Sequence, residues 1–166
     1  GRGARRDGAL GYLRLAAGGV AVVLDAGPPP PDAPWAGASP LALEMSAGSA
    51  RLCASVGPGR GLGGDWPVAA RATAAHSAVE IDGVSAARLA PDGFAARVFG
   101  RPLTSGPSAV GAERAEDDQG QWALAEHDGY AARYGLILSR RLNLAPDGSA
   151  FRGEDTAHAP TAEARA

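Results

Sequence analysis

Few residues in this chain can move a proton or hold a metal: three histidines and one cysteine among 166 residues. His76 lies in Arg71-Ala72-Thr73-Ala74-Ala75-His76-Ser77-Ala78-Val79, at the start of a strand-like run. An imidazole there can serve as acid, base or metal ligand near neutral pH, but a lone one is more often a hydrogen-bonded structural group. His127 sits in Glu126-His127-Asp128-Gly129-Tyr130. There it is either a surface histidine whose charged form the two acids favour, or a polar group lining a cleft. His158 belongs to a polar tail and is expected to be solvated. Cys53 has no partner for an internal disulfide and reads as a small buried strand residue rather than a nucleophile.

Other chemical signatures are weak or missing. Gly59-Arg60-Gly61-Leu62-Gly63-Gly64 matches the spacing of a dinucleotide loop, but such a loop must open a helix, and Asp65-Trp66-Pro67 follows with no helix expected. A Walker loop needs a lysine, and all 16 basic residues are arginine. The sequence holds no HExxH, paired CxxC or GxSxG pattern. The arginines are scattered and interleaved with acids, and net charge is −2, so nucleic acid is not an expected partner. Together with the Ala, Gly and Pro content, the absence of lysine suggests a GC-rich, bacterial genome.

The elements that must position these residues read as strands. Gly (24) and Pro (13) punctuate the chain too often for long helices. Ala9 to Leu15 and Val20 to Asp25 flank a hairpin at Ala17-Gly18-Gly19. Leu41 to Met45 and Ala50 to Val56 flank a second at Ser46 to Ser49. Ala78 to Asp82 alternates apolar and polar and ends at the turn pair Asp82-Gly83. Phe94 to Phe99, Gln121 to Glu126, Leu136 to Leu144 and a strand from Phe151 follow. Ala109 to Glu116 is open between short helix, strand and loop. Gly27 to Pro34 is expected as extended polyproline-like chain, and Gly57 to Gly64 as a flexible loop. The fold class expected is all-β: an antiparallel β-sandwich of many short strands with little or no helix. It forms one domain over residues 1–155, followed by a frayed polar tail over 156–166. No apolar run approaches the roughly 18 residues of a membrane span. A start at Gly1-Arg2-Gly3, without Met or a signal-peptide pattern, suggests a piece of a longer protein.

Five stretches, in order, resemble the C-terminal β-sandwich of the heparinase II/III-like family. They are Gly11 to Leu15 with Val22 to Pro29; Leu41 to Ser46; Asp65-Trp66 with Arg71 to Ser77; His127 to Tyr130 with Tyr134 to Leu136 and Arg140 to Leu142; and Gly153 to Asp155. The resemblance implies a polysaccharide lyase that cleaves uronic-acid-containing glycans, heparin-like or alginate-like, by β-elimination. It also implies an N-terminal helical toroid in the same parent chain, carrying most catalytic groups, so that this chain alone is expected to be inactive. A periplasmic or cell-envelope location would follow from the same resemblance.

By that resemblance, His76 falls on a histidine that looks like a metal ligand in some members and is the one catalytic candidate here. The positions of further expected ligands hold Gly37, Ser39 and Ser55. With His76 as the only candidate ligand, neither zinc nor calcium is expected to bind, and no cofactor is anticipated. Trp66, Arg71, His127 and Tyr130 are candidates for binding an acidic polysaccharide. Arg71 would pair with a uronate or sulfate oxygen, or form a salt bridge to Asp65 or Asp82. Trp66 would stack on a sugar ring or be buried under the loop. The alternative reading is a non-catalytic glycan-binding or structural β-sandwich.

Overall fold

A computed structural model describes residues 11–30 and 33–160. Two four-stranded antiparallel sheets face each other, each a meander of strands consecutive in sequence. The first comprises β1 (Tyr12–Ala17), β2 (Val20–Asp25), β3 (Leu43–Ala47) and β4 (Ala50–Cys53). Alternation along β1 buries Leu13 and Leu15 and exposes Tyr12 and Arg14, as the two-residue side-chain period of a strand requires. Val22 and Leu24 of β2 do the same.

Ala54 to Ala109 connects the sheets. It holds α1 (Trp66–Ala69), a 3₁₀ turn (Thr73–Ala75), β5 (Arg88–Leu89), α2 (Phe94–Phe99) and β6 (Leu103–Ser105), with β5 and β6 paired. The second large sheet comprises β7 (Val110–Asp117), β8 (Gly120–Tyr130), β9 (Leu136–Leu144) and β10 (Phe151–His158), with α3 (Ala131–Tyr134) between β8 and β9. Leu13, Leu15, Val22 and Leu24 meet Ala123, Ala125, Leu142 and Leu144 in one buried cluster. Small alanines on β8 oppose the leucines of β1 and β2, so the sheets close over a core poor in aromatics. The fold is the all-β sandwich expected.

Several local expectations fail. Phe94 to Phe99 is a helical turn rather than a strand, set off by Gly93 and Gly100, and Phe94 is 84% exposed. Among the described residues, Ala78 to Asp82 has no neighbouring strand and contributes one bridge, Ile81 to Val84. The Asp82-Gly83 turn is as expected, with φ of 52° and 67°. A single helical turn, α1, does follow the Gly-rich loop, with Pro67 in its first turn. Four residues are too short to make the phosphate-binding helix start of a dinucleotide fold. The run Ala109 to Glu116 resolves as strand from Val110 onward, within β7. β10 runs on to His158, so Thr156 to His158 are paired chain rather than frayed tail. Residues 1–10 (with Ala9 and Leu10 of the first expected strand), Pro31, Asp32 and residues 161–166 lie outside the described residues.

Among the described residues, three contacts besides the core tie the second large sheet to the first or to the segments beside it. The Gln121 side chain donates to the Ala16 carbonyl (2.9 Å) and accepts from the Ala16 amide (2.8 Å), capping the edge strand β1. Arg140 points inward from β9 and is 8% exposed. It grips Asp155 of β10 through Nε (2.6 Å) and Nη2 (2.7 Å), while Nη1 donates to the carbonyls of Leu41 (2.5 Å) and Ser77 (2.6 Å). At the hairpin tips, Gly18 packs against Asp147 and Gly148 against Ala17 so closely that neither position has room for a Cβ.

Candidate functional site

The Arg71 to Ser77 segment is stitched to its surroundings by every polar side chain it carries. Arg71 is 5% exposed; its Nε donates to the Ala36 carbonyl (2.8 Å) and its Nη2 to the Arg101 carbonyl (2.6 Å). Burial, and then the charge of Arg101, pull its pKa down. The salt bridge to Asp65 or Asp82 is not formed; backbone carbonyls take the guanidinium instead. The Thr73 hydroxyl donates to the Ala38 carbonyl and accepts from the Ala86 amide (2.9 Å). The Ser77 hydroxyl accepts from the Leu43 amide (2.7 Å) and donates to the Leu43 carbonyl (2.5 Å). His76 follows the 3₁₀ turn rather than opening a strand, and its Nδ1 makes a short hydrogen bond with Ser55 Oγ. Its Nε2 is buried with no hydrogen-bond partner among the described residues. Burial lowers its pKa, against the Ala70 backbone and the nearby Glu44 carboxylate, which raise it.

His127 is not at the surface; it borders a small hollow with Leu41, Arg140 and Asp155, away from the large arginine-lined cleft. It is 3% exposed, and its Nδ1 accepts from the Gly129 amide (3.1 Å). Burial pushes its pKa down to about 4, with Arg140 adding and Asp128 opposing, so the ring is neutral at pH 7. A bulge in β8 between His127 and Tyr130 lets both face inward although they are three residues apart. Tyr130 is 1% exposed, and its hydroxyl lies 2.9 Å from the Val84 carbonyl and 3.1 Å from the Val79 carbonyl. Burial raises its pKa, so a phenol tied to the Asp82-Gly83 turn is no base at neutral pH. Trp66 is 59% exposed rather than buried under the loop.

A cleft of about 830 Å³ lies between the Arg71 segment, β5, β6 and the end of β8. Arg71, Arg88, Arg101 and Arg133 line it against one carboxylate, Asp128, with Tyr130 in its wall. Burial raises the Asp128 pKa, but hydrogen bonds from Ser108 and Ala109 outweigh that and lower it. Its oxygens are already engaged: Oδ1 accepts the amides of Ser108 (2.8 Å) and Ala109 (3.1 Å), and Oδ2 the Ser108 hydroxyl. The cleft is therefore cationic in a chain of net charge −2. Such a surface suits carboxylates or sulfates, which guanidinium groups bind in paired fashion.

Of the residues singled out by sequence, Arg71 and Tyr130 meet in this cleft, whereas Trp66, His76 and His127 are not among its lining residues. Arg88, Arg101 and Arg133 were missed. No spacing signal links them, since they come from β5, the loop before β6 and α3. Among the described residues, no three His, Cys, Asp or Glu side chains converge as a metal site would require.

Comparison with known proteins places these features in context. The family model described as heparinase II/III-like, C-terminal, matches residues 2–165. FtsZ-localized protein C of Caulobacter vibrioides (strain NA1000 / CB15N) is 36% identical over 148 residues, covering 88% of this chain and 25% of that protein. The chain thus spans about a quarter of the length of that curated relative. No solved structure matches.

Proposed function

This chain belongs to the heparinase II/III-like, C-terminal family, and from that premise we propose that it is the anion-holding wall of a polysaccharide lyase. The parent protein would cleave uronic-acid-containing glycans by β-elimination. The observation that carries this reading is the cleft lined by Arg71, Arg88, Arg101 and Arg133. β-Elimination removes the proton alpha to a uronate carboxylate, and that proton becomes acidic only when the carboxylate is neutralised. Guanidinium groups supply this neutralisation and stay charged throughout the pH range of life. A base must then take the proton and an acid protonate the leaving oxygen. Within the cationic cleft none of this domain's candidates offers that base or that acid. His76 lies outside it, His127 is buried away from it, and Tyr130 is tied to two carbonyls. Those groups are assigned to the N-terminal toroid.

A second reading is a non-catalytic module in which the same cleft holds an acidic ligand without cleaving it. Two observations favour it: this lack of a free base, and the 36% identity to a protein named for its localisation with FtsZ.

The test uses the full-length protein with heparin and alginate, following the ultraviolet absorbance of the unsaturated product alongside binding by calorimetry. The lyase reading expects product from at least one glycan. It also expects the Arg88→Ala/Arg133→Ala variant, altered at two exposed arginines, to lose roughly tenfold or more in kcat/KM. Salt-sensitive binding without product would establish the second reading. Absence of both would reject the cleft as an anion site.

A further inference from the structure

A smaller hollow, about 170 Å³, lies on the other side of Arg71 and is bordered by Gly37, Ser39 and His76. The Nε2 of His76 is buried there without a hydrogen-bond partner among the described residues. A Cβ built on Gly37 would stand 3.3 Å from that nitrogen and 3.3 Å from Ser39 Oγ. The far side of the ring is held by Ser55, whose own amide donates to Glu44 Oε1 (3.3 Å). In the tautomer that donates Nδ1–H to Ser55 Oγ, the lone pair of Nε2 is aimed at the space between positions 37 and 39. An imidazole oriented through one nitrogen and open at the other is how proteins prepare a histidine for a metal. The residues around it do not complete that preparation. Zinc takes three or four nitrogen, sulfur or carboxylate ligands, and Nε2 here faces a glycine and a hydroxyl.

We propose that this hollow is a metal pocket without ligands: the chain folds independently of zinc, yet the geometry for binding it persists. Ser55 is then a positioning residue, and positions 37 and 39 are where the missing donors belong. The backbone at Gly37 does not require glycine, since its φ is not in the left-handed region and the atoms nearest the added Cβ are side-chain ends.

The experiment measures zinc stoichiometry by emission spectroscopy and thermal unfolding with zinc or a chelator, using the 166-residue chain. The unaltered chain should bind no stoichiometric zinc, and its Tm should not respond to either addition. A Gly37→His/Ser39→Asp variant should bind one zinc per chain and gain roughly 5–10 °C at saturating metal. Adding His76→Ala should abolish that gain, and adding Ser55→Ala should weaken zinc affinity by about tenfold or more. One zinc on the unaltered chain, lost with His76→Ala, would overturn the proposal. So would a double variant that keeps its far-UV spectrum and Tm in chelator but binds no zinc. Should the double variant not fold, Ser39→His leaves Gly37 intact and places a second imidazole beside Nε2. It should then bind Ni²⁺ measurably, and failure to do so would equally overturn the proposal.

Discussion

Asp25 and His127 titrate in opposite senses as the chain folds. Burial raises the Asp25 pKa from 3.8 to about 6, against a backbone hydrogen bond from Gly27, and lowers that of His127 from 6.5 to about 4. The folded state therefore favours protonated Asp25 and neutral His127. Asp25 contributes stability that is complete below about pH 4 and lost as pH rises through 6. His127 contributes stability that is complete above about pH 6.5 and lost as pH falls toward 4. At 1.36 kcal/mol per pKa unit, His127 accounts for about 3 kcal/mol, and Asp25, discounted for its partial exposure, for about 2 kcal/mol. Between pH 7 and 4 the two effects largely cancel. Calorimetric unfolding should show an Asp25→Asn variant losing several degrees more in Tm on acidification than the parent, and a His127→Asn variant losing fewer. Parallel profiles for all three would refute the assignment. In the sequence only part of this was visible. The polar side chains of Arg71 to Ser77 marked a special segment, but their bonds to Ala36, Ala38, Leu43 and Ser55 depend on folding. The flanking acids of His127 suggested a charged ring, whereas its strand turns it inward, where burial outweighs them.

Strands were legible wherever alternation coincided with an available partner. β2 and β9 match the runs Val20 to Asp25 and Leu136 to Leu144, because apolar periodicity and turn glycines agree there. Alternation in Ala78 to Asp82 is just as regular, but the ladder has no strand to offer it, and Tyr130 takes two of the local carbonyls instead. At the hairpin tips, sequence makes Gly18 and Gly19 look equivalent; both have positive φ, 52° and 80°. Their surroundings differ. An added Cβ at Gly18 would lie 1.7 Å from the Asp147 carbonyl oxygen, while nothing stands within 4 Å of one at Gly19. Gly19→Ala should cost about 1 kcal/mol through backbone strain, and Gly18→Ala about 3 kcal/mol or more because the tips must separate. Thermal melts of the two variants decide this: equal losses would mean the tips do not touch in solution.

The whole molecule brings together arginines that sequence scatters. Arg71, Arg88, Arg101 and Arg133 come from the connecting segment and α3, so the cationic cleft exists only when that segment is packed against the end of β8 and α3. The two sheets themselves dock through the shared leucine and alanine core and the Gln121 cap, with the fourfold-bonded Arg140 holding the segments beside them. Within each large sheet every hydrogen-bonded neighbour is also a sequence neighbour, β1 to β4 and β7 to β10. Each ladder can therefore zip up before the other exists, since no long loop closure precedes it. The chain is in this sense two mutually complementing halves. Severed at the exposed Pro91-Asp92 turn and co-expressed, the fragments 1–91 and 92–166 should find each other and co-purify with a single cooperative melt. Either fragment alone should aggregate for want of the opposing core face.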